Sequence, residues 1–347
     1  MVAFATVVAL SACGSGSPPS AAATVKSSPA PSPIEAPTPT TAASPTGSNG
    51  GAFLPLTTLD FTCRLPISSG SPPSDAFLSL PGRVVTSAGQ GNYWYDAFVS
   101  RWLPVTSNDV SPDGSRYALT EGWSFNPPKA SRVHVVDART GNDVMVVSMP
   151  DLQPYFVLDF TDRGVDIGIA YEGRGPGVWR LNVETGGVSK ISDGLYPPDA
   201  EWQGALDTRD PSPYISASGL ETPFNRIDRH DPSGSTTAWF LLRGHTLGWA
   251  QFAASTSLLV QATWQDPTDP TKGGVEYWLV SSPTKAAKLV SYRFSESSPY
   301  SDLNFGWTAA DPHGIWVGGE HSLYLVTSDG SILRVYDSQA HPAGTCG

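Results

Sequence analysis

"RVHVVDARTGNDVMVV", residues 132–147, decides how the rest of the chain is read. Two Val-rich runs flank a turn-forming segment that ends in Gly141 and Asn142, which predicts a β-hairpin. Four later stretches repeat the plan: "WRLNVETGGVSKI" (179–191), "IDRHDPSGSTTAWFLL" (227–242), "YWLVSSPTKAAKLVSY" (277–292) and "LYLVTSDGSILRVY" (323–336). Their turns fall near Gly141, Gly186, Gly234, Thr284 and Gly330, one about every 45–50 residues. One step back lands near Tyr95 in "NYWYDAFVSRWLPV" (92–105), which reads as the same hairpin with a different loop. A second marker precedes most hairpins: "VSPDG" (110–114), "FTDRG" (160–164), "FAAST" (252–256) and "AADPHG" (309–314).

Between these markers lie further strand-length runs such as "RYALTEG" (116–122), "VDIGIAYE" (165–172), "LLVQATW" (258–264) and "GIWVGG" (314–319). They are rich in Val, Ile, Tyr and Trp and bounded by turn formers, and no longer window carries helical spacing. The expected class is all-β. A repeat of ~40–50 residues with about four strands is the unit of a β-propeller. The hairpins place six blades at 64–105, 106–149, 150–192, 193–242, 243–292 and 293–337, with a seven-bladed ring as the alternative.

"VSPDGSRYAL" (110–119) followed by "VHVVDARTGNDV" (133–144) resembles the WD40-like repeats of TolB-type bacterial propellers. One repeat matches well and the others are degenerate. The resemblance implies an architecture for residues 64–337 and no particular activity.

The start of the chain has a different composition. An apolar run from Val2 to Leu10 is too short to span a bilayer, which needs ~20 apolar residues. It leads into Leu10, Ser11, Ala12 and Cys13, and this resembles the lipobox of bacterial lipoproteins. The resemblance implies a signal peptide over 1–12, cleavage before Cys13, and a lipid on its sulfur that anchors the protein to the cell membrane, exposed at the surface or in the periplasm. Residues 1–12 lack the Lys or Arg of a signal n-region, so the true start is expected upstream. An ordinary cleaved secretion signal is the alternative. In residues 14–50 everything except Val25, Lys26, Ile34, Glu35 and Asn49 is Pro, Ala, Ser, Thr or Gly. Such a segment cannot bury enough apolar area to fold, so 13–50 is read as a disordered linker reaching ~35 Å, and 51–347 as the propeller domain.

The net charge is -11 with only 15% charged residues, which argues against nucleic acid and against docking on anionic lipid. Beyond Cys13 there are two cysteines, Cys63 and Cys346, one near each end of the folded region. In an oxidising compartment they read as a disulfide closing the ring; two free thiols are the alternative.

Signals for chemistry are weak. His134, His230, His245, His313, His321 and His341 contain no close ligand pair, so neither a metal nor another cofactor is expected. There is no Gly-x-Ser-x-Gly elbow. Ser111 and Asp113 approach a sialidase-type Asp box, but Gly114 comes one place early and Ala118 replaces the aromatic, so a turn is expected. "DPTDPTK" (266–272), with Asp266 and Asp269, reads as a solvated insertion rather than a calcium loop. Trp202, Trp249 and Trp307 each fall just before the first strand of successive blades, and Trp123 follows a strand of the second. They form either a stacking platform for a sugar or other flat ligand, or wedges that seal the core. The expectation is a monomeric, non-catalytic module that binds an unknown protein or carbohydrate through one propeller face. A carbohydrate-active, glycosidase-like enzyme on the same scaffold is the alternative, because propellers host both.

Overall fold

The computed structural model describes residues 53–69, 74–90, 93–122, 124–125, 128–169, 177–207, 224–253, 255–266 and 268–347. Cys13, the signal, the linker and Trp123 lie outside them. Among the described residues six groups of antiparallel strands follow one another along the chain, the first and sixth hydrogen-bonded into one eight-stranded sheet, and two short hairpins, Trp94–Asp96 with Arg101–Leu103 and Ser124–Phe125 with Pro128–Lys129, stand apart. The first orders Ala340–Pro342, Cys63–Ser69, Ser74–Leu80 and Val84–Gln90. The second holds Arg116–Glu121, Arg132–Asp137 and Asp143–Ser148, with Val110 bridging Tyr117. The third runs through Tyr155–Thr161, Gly164–Ile169, Val178–Leu181 and Val188–Ser192. Trp202–Ala205, Arg226–His230 and Thr236–Leu241 make the fourth. The fifth comprises Thr246–Gln251, Leu258–Asp266, Asp269–Ser282 and Lys285–Arg293, and the sixth Leu303–Asp311, Gly314–Gly319, Leu323–Val326 and Ile332–Tyr336.

Each of the five hairpins read from the sequence forms the last two strands of its sheet. Two of the turns share a mechanism. Asp137 Oδ1 accepts the amides of Arg139 and Thr140, and Asn182 Oδ1 accepts those of Glu184 and Thr185. Gly141 and Gly186 then reverse the chain, both at φ +74°, a region nearly closed to other residues. The second marker is also structural, since 110–114, 160–164, 252–256 and 309–314 span the turn from the first strand of a sheet into its second.

Side-chain alternation shows how the sheets are arranged. On strand Asp269–Ser282, Val275, Tyr277 and Leu279 join a core with Ile315, Val317 and Tyr324 of the sixth sheet. Trp278 and Val280 turn the other way, onto Ile227, Trp239 and Phe240 of the fourth. A sheet buried on both faces is apolar at consecutive positions, as this one is. The second and third sheets share the core of Val133, Val135, Val165, Ile167 and Leu181. The sixth and first share Trp316, Leu323 and Leu325 with Leu65, Ile67 and Leu78. Third and fourth are linked by Arg180, whose guanidinium forks onto Asp166 of its own sheet and Asp199 of the approach to the next. Successive sheets are therefore joined, by shared cores at most junctions, by Arg180 between third and fourth and by an intervening hairpin between first and second, and the last packs on the first, which is a β-propeller.

The ring closes by strand exchange. Ala340–Pro342, the last strand of the chain, pairs with Cys63–Ser69 and becomes the inner strand of the first sheet, while Ala340 also bridges Gly319 of the sixth. Cys63 and Cys346 are disulfide-bonded with Cα atoms 5.4 Å apart.

One sequence reading is corrected. Tyr95 does not belong to the outer hairpin of the first sheet, which is Ser74–Leu80 with Val84–Gln90. Trp94–Asp96 and Arg101–Leu103 form a separate hairpin. Tyr95 and Trp102 pack on Phe77 of the first sheet, and Leu103 and Val105 pack with Tyr117 and Val136 of the second. This hairpin is a wedge between the two sheets. Because the C-terminal strand supplies an inner strand, every first-sheet strand lies one place earlier in sequence than periodicity implies.

Candidate functional site

The extended end of the fifth sheet carries an open cleft lined by residues of several strands. Strands Leu258–Asp266 and Asp269–Ser282 continue past the core, and their turn holds the "DPTDPTK" insertion. Asp266 accepts the amide and hydroxyl of Thr268, and Asp269 those of Thr271, so each carboxylate is used within its own turn. Below the turn, Trp264 pairs with Gly274 and Gly274 with Arg293 across three strands. Side chains two apart share a face. Trp264, Glu276, Ser291 and Arg293 therefore stand on the face turned toward the fourth sheet, and His245 joins them at the edge. With Tyr292 and Glu296 they line an open cleft of about 460 Å³.

The indole is held by an absence of side chain. A Cβ on Gly274 would lie 2.9 Å from Trp264 Nε1, 3.2 Å from its Cε2 and 2.4 Å from the Tyr292 carbonyl oxygen. Glycine inside a strand marks such a close approach. The ring rests on the third strand, and no other residue leaves it that room.

Glu276 anchors the polar wall. Its Oε1 accepts from Lys288 Nζ at 2.6 Å and Ser291 Oγ at 3.4 Å, and its Oε2 accepts from Trp278 Nε1 at 3.0 Å. His245 Nε2 stands 4.0 Å from Glu276 Oε2, and its Nδ1 meets the Arg243 carbonyl at 2.9 Å. Glu296 accepts the Arg293 amide at 3.1 Å. The cleft offers one indole face, fixed hydrogen-bonding groups and paired charges, the equipment for binding a polar molecule with an apolar flank.

The tryptophans singled out by position are distributed differently. They sit inside the first strands of their sheets, not just before them. Trp202 donates Nε1 to Gln251 Oε1 at 2.9 Å and meets Trp239 edge-on at 5.2 Å. Trp249 packs on the same core between the fourth and fifth sheets. Trp307 stands apart, 42% exposed, with its ring 3.6 Å from that of His341 on the closing strand. Burial pushes the His341 pKa down. The structure thus joins Trp202 to Trp249 and leaves Trp307 alone.

Asp113 takes Ser111 Oγ at 2.7 Å and the Ser115 amide at 3.0 Å, the turn expected of it, and these bonds lower its pKa. Asp311, His313 and Cys346 gather within metal-ligand reach, yet Cys346 is in the disulfide. Asp311 Oδ2 is already taken by Trp316 Nε1 at 2.6 Å and the Cys346 amide at 3.2 Å. That cluster fastens the C-terminus. The Trp264 cleft was missed in the sequence, although Gly273-Gly274 inside a strand-like run was its signal.

No family model matches the chain, and no curated protein matches it. Among solved structures, the β-propeller domain of Myceliophteria thermophila Cps50 (Swd1) aligns at TM-score 0.36 and 13% identity, over 77% of this chain and 81% of that one. The Dos1 propeller aligns at TM-score 0.31 and 12% identity, over 80% and 74%. At these values the likeness carries no weight, and the fold rests on sheet order and on the contacts that join successive sheets.

Proposed function

We propose that the chain is a lipid-anchored, extracytoplasmic propeller that binds a protein or glycan without catalysis. The observation that carries the binding half is the Trp264 cleft, where an indole is preset on Gly274 beside polar groups already fixed by Glu276. Preorganised groups lose little entropy on binding, so a small cleft of this kind suits recognition. The anchor half rests on Leu10, Ser11, Ala12 and Cys13. Trp307, exposed beside the closing strand, is a second contact candidate. The enzyme reading draws on one observation, that two carboxylates, Glu276 and Glu296, line the same cleft. Glu276 is tied to Lys288 and Trp278, and Glu296 to a backbone amide, so both already have structural partners.

The test compares full-length protein with Trp264→Ala for retention of envelope proteins and arrayed glycans. Loss of a specific ligand in the variant supports the cleft; identical retention refutes it. Cys13→Ala is expected to release the protein into the medium, and continued membrane association would end the lipid-anchor reading. Turnover of a bound glycan by the wild type, abolished in Glu276→Gln, would replace binding with hydrolysis.

A further inference from the structure

We infer that the fifth-sheet cleft takes a neutral saccharide, a refinement that rests on its being the binding site proposed above. Ligand pockets for apolar molecules are lined mainly by hydrophobic side chains. Here a single aromatic ring, that of Trp264, stands among His245, Glu276, Ser291, Arg293 and Glu296, while the Tyr292 ring is turned into the core shared with the sixth sheet and only its backbone borders the cleft. A sugar ring matches that mixture, since its C–H face stacks on an indole while its hydroxyls both donate and accept. The cleft volume of about 460 Å³ falls within the ~300–1,000 Å³ range of small-molecule sites and suits a short oligosaccharide.

Charge selects the neutral class. Glu276 is paired with Lys288 at 2.6 Å, and Arg293 stands with Glu296 on the same wall. The fixed charges cancel, so a uronate or phosphate would meet no surplus of cation. His245 adds polarity of the right sign. The Arg243 carbonyl facing its Nδ1 at 2.9 Å can only accept, which assigns the proton of the neutral ring to Nδ1 and leaves Nε2 to accept a hydroxyl. The indole needs no ordering on binding, because Gly274 already seats it.

Titration calorimetry on the full-length chain, with neutral oligosaccharides and matched uronic-acid oligosaccharides chosen from a glycan array, tests this. The expected result is binding of a neutral glycan that changes less than threefold between 50 and 500 mM salt and weakens at least tenfold in Trp264→Ala. Phe294→Ala is the control: Phe294 lies over Gly273, the neighbouring residue, hence on the opposite face of the same hairpin, and its loss should leave affinity unchanged. Preference for the acidic series, or neutral binding that survives Trp264→Ala in a folded protein, overturns the inference. If no glycan binds but a protein ligand is captured and lost in Trp264→Ala, the saccharide assignment fails while the cleft remains a binding site. If neither class depends on Trp264, both fall.

Discussion

Removing the bond between Cys63 and Cys346 should destabilise the ring by an amount set by the loop it closes. The cysteines are 283 residues apart. In the chain-entropy treatment a cross-link over that span removes about 5–6 kcal/mol of freedom from the unfolded chain at 25 °C. With ~2.1 cal/mol/K of unfolding entropy per residue, the loss corresponds to a fall in melting temperature of roughly 10 °C. The folded state should barely change, because Ala340–Pro342 remains hydrogen-bonded to Cys63–Ser69 and Asp311 still receives the Cys346 amide. The assay is thermal unfolding by circular dichroism for oxidised protein, protein held in reductant, and the Cys63→Ala, Cys346→Ala double variant. Reduced and doubly substituted proteins should melt together, well below the oxidised form. A fall of less than ~3 °C would show that the unfolded chain gains little freedom, and that strand exchange fastens the ring unaided.

Gly314 stands at φ +150°, where an added Cβ would lie 2.3 Å from the Val326 carbonyl oxygen, so Gly314→Ala should lower stability by ~2–4 kcal/mol in urea unfolding. Arg180→Met would strand Asp166, whose side chain is 1% exposed, at a cost of ~3–5 kcal/mol; adding Asp166→Asn should restore part of it, and no restoration would mean that the Arg180 contacts are not coupled. Hydrogen bonds within their turns lower the pKa of Asp113, Asp137, Asp231 and Asp329 below the ordinary 3.8. A carboxylate with a depressed folded pKa contributes stability above its unfolded pKa and loses it as pH falls through the folded one. Burial raises Asp109 and Asp159, an opposing contribution from fewer groups. Burial also lowers the His341 pKa, so the unfolded chain takes up that proton first. The urea midpoint should therefore begin to decline below about pH 6.5 and decline further below about 4; a midpoint that rises on acidification would refute the balance.

The parts of this fold that sequence reveals are those built from neighbouring residues. An Asx-to-Gly reversal such as Asp137–Gly141 writes its own signature, because one side chain satisfies the amides two and three places on. A turn of that general kind, with Asp or Asn and a glycine, marked four of the five hairpins; the one near Thr284 was read from its strands and spacing. The pairing of Cys63 with Cys346 was legible because a ring must bring its ends together. The closing strand was not, since Ala340–Pro342 has three residues, one of them proline, and gains strand character only from its partner. The wedge hairpin misled for a related reason: "NYWYDAFVSRWLPV" has the composition of a blade hairpin, and only contacts with Phe77 and Tyr117 distinguish its role. The cleft assembles residues from three strands and two adjoining loops between 245 and 296, so no local window contains it. Trp202, Trp249 and Trp307 share a place in the repeat without sharing an environment, since the first two pack on one core and the third is exposed beside His341.

Strand exchange between the two ends has a consequence for biosynthesis. A chain emerging from the ribosome or a translocation pore delivers Cys63–Ser69 early, but the partner for its inner edge arrives only with residues 340–342. Until then the first sheet keeps an open row of amides and carbonyls, and Leu65 and Ile67 lack Ala340 beside them in the core. Residues 340–342 act as the keystone, and the ring is expected to stay incomplete until they have emerged.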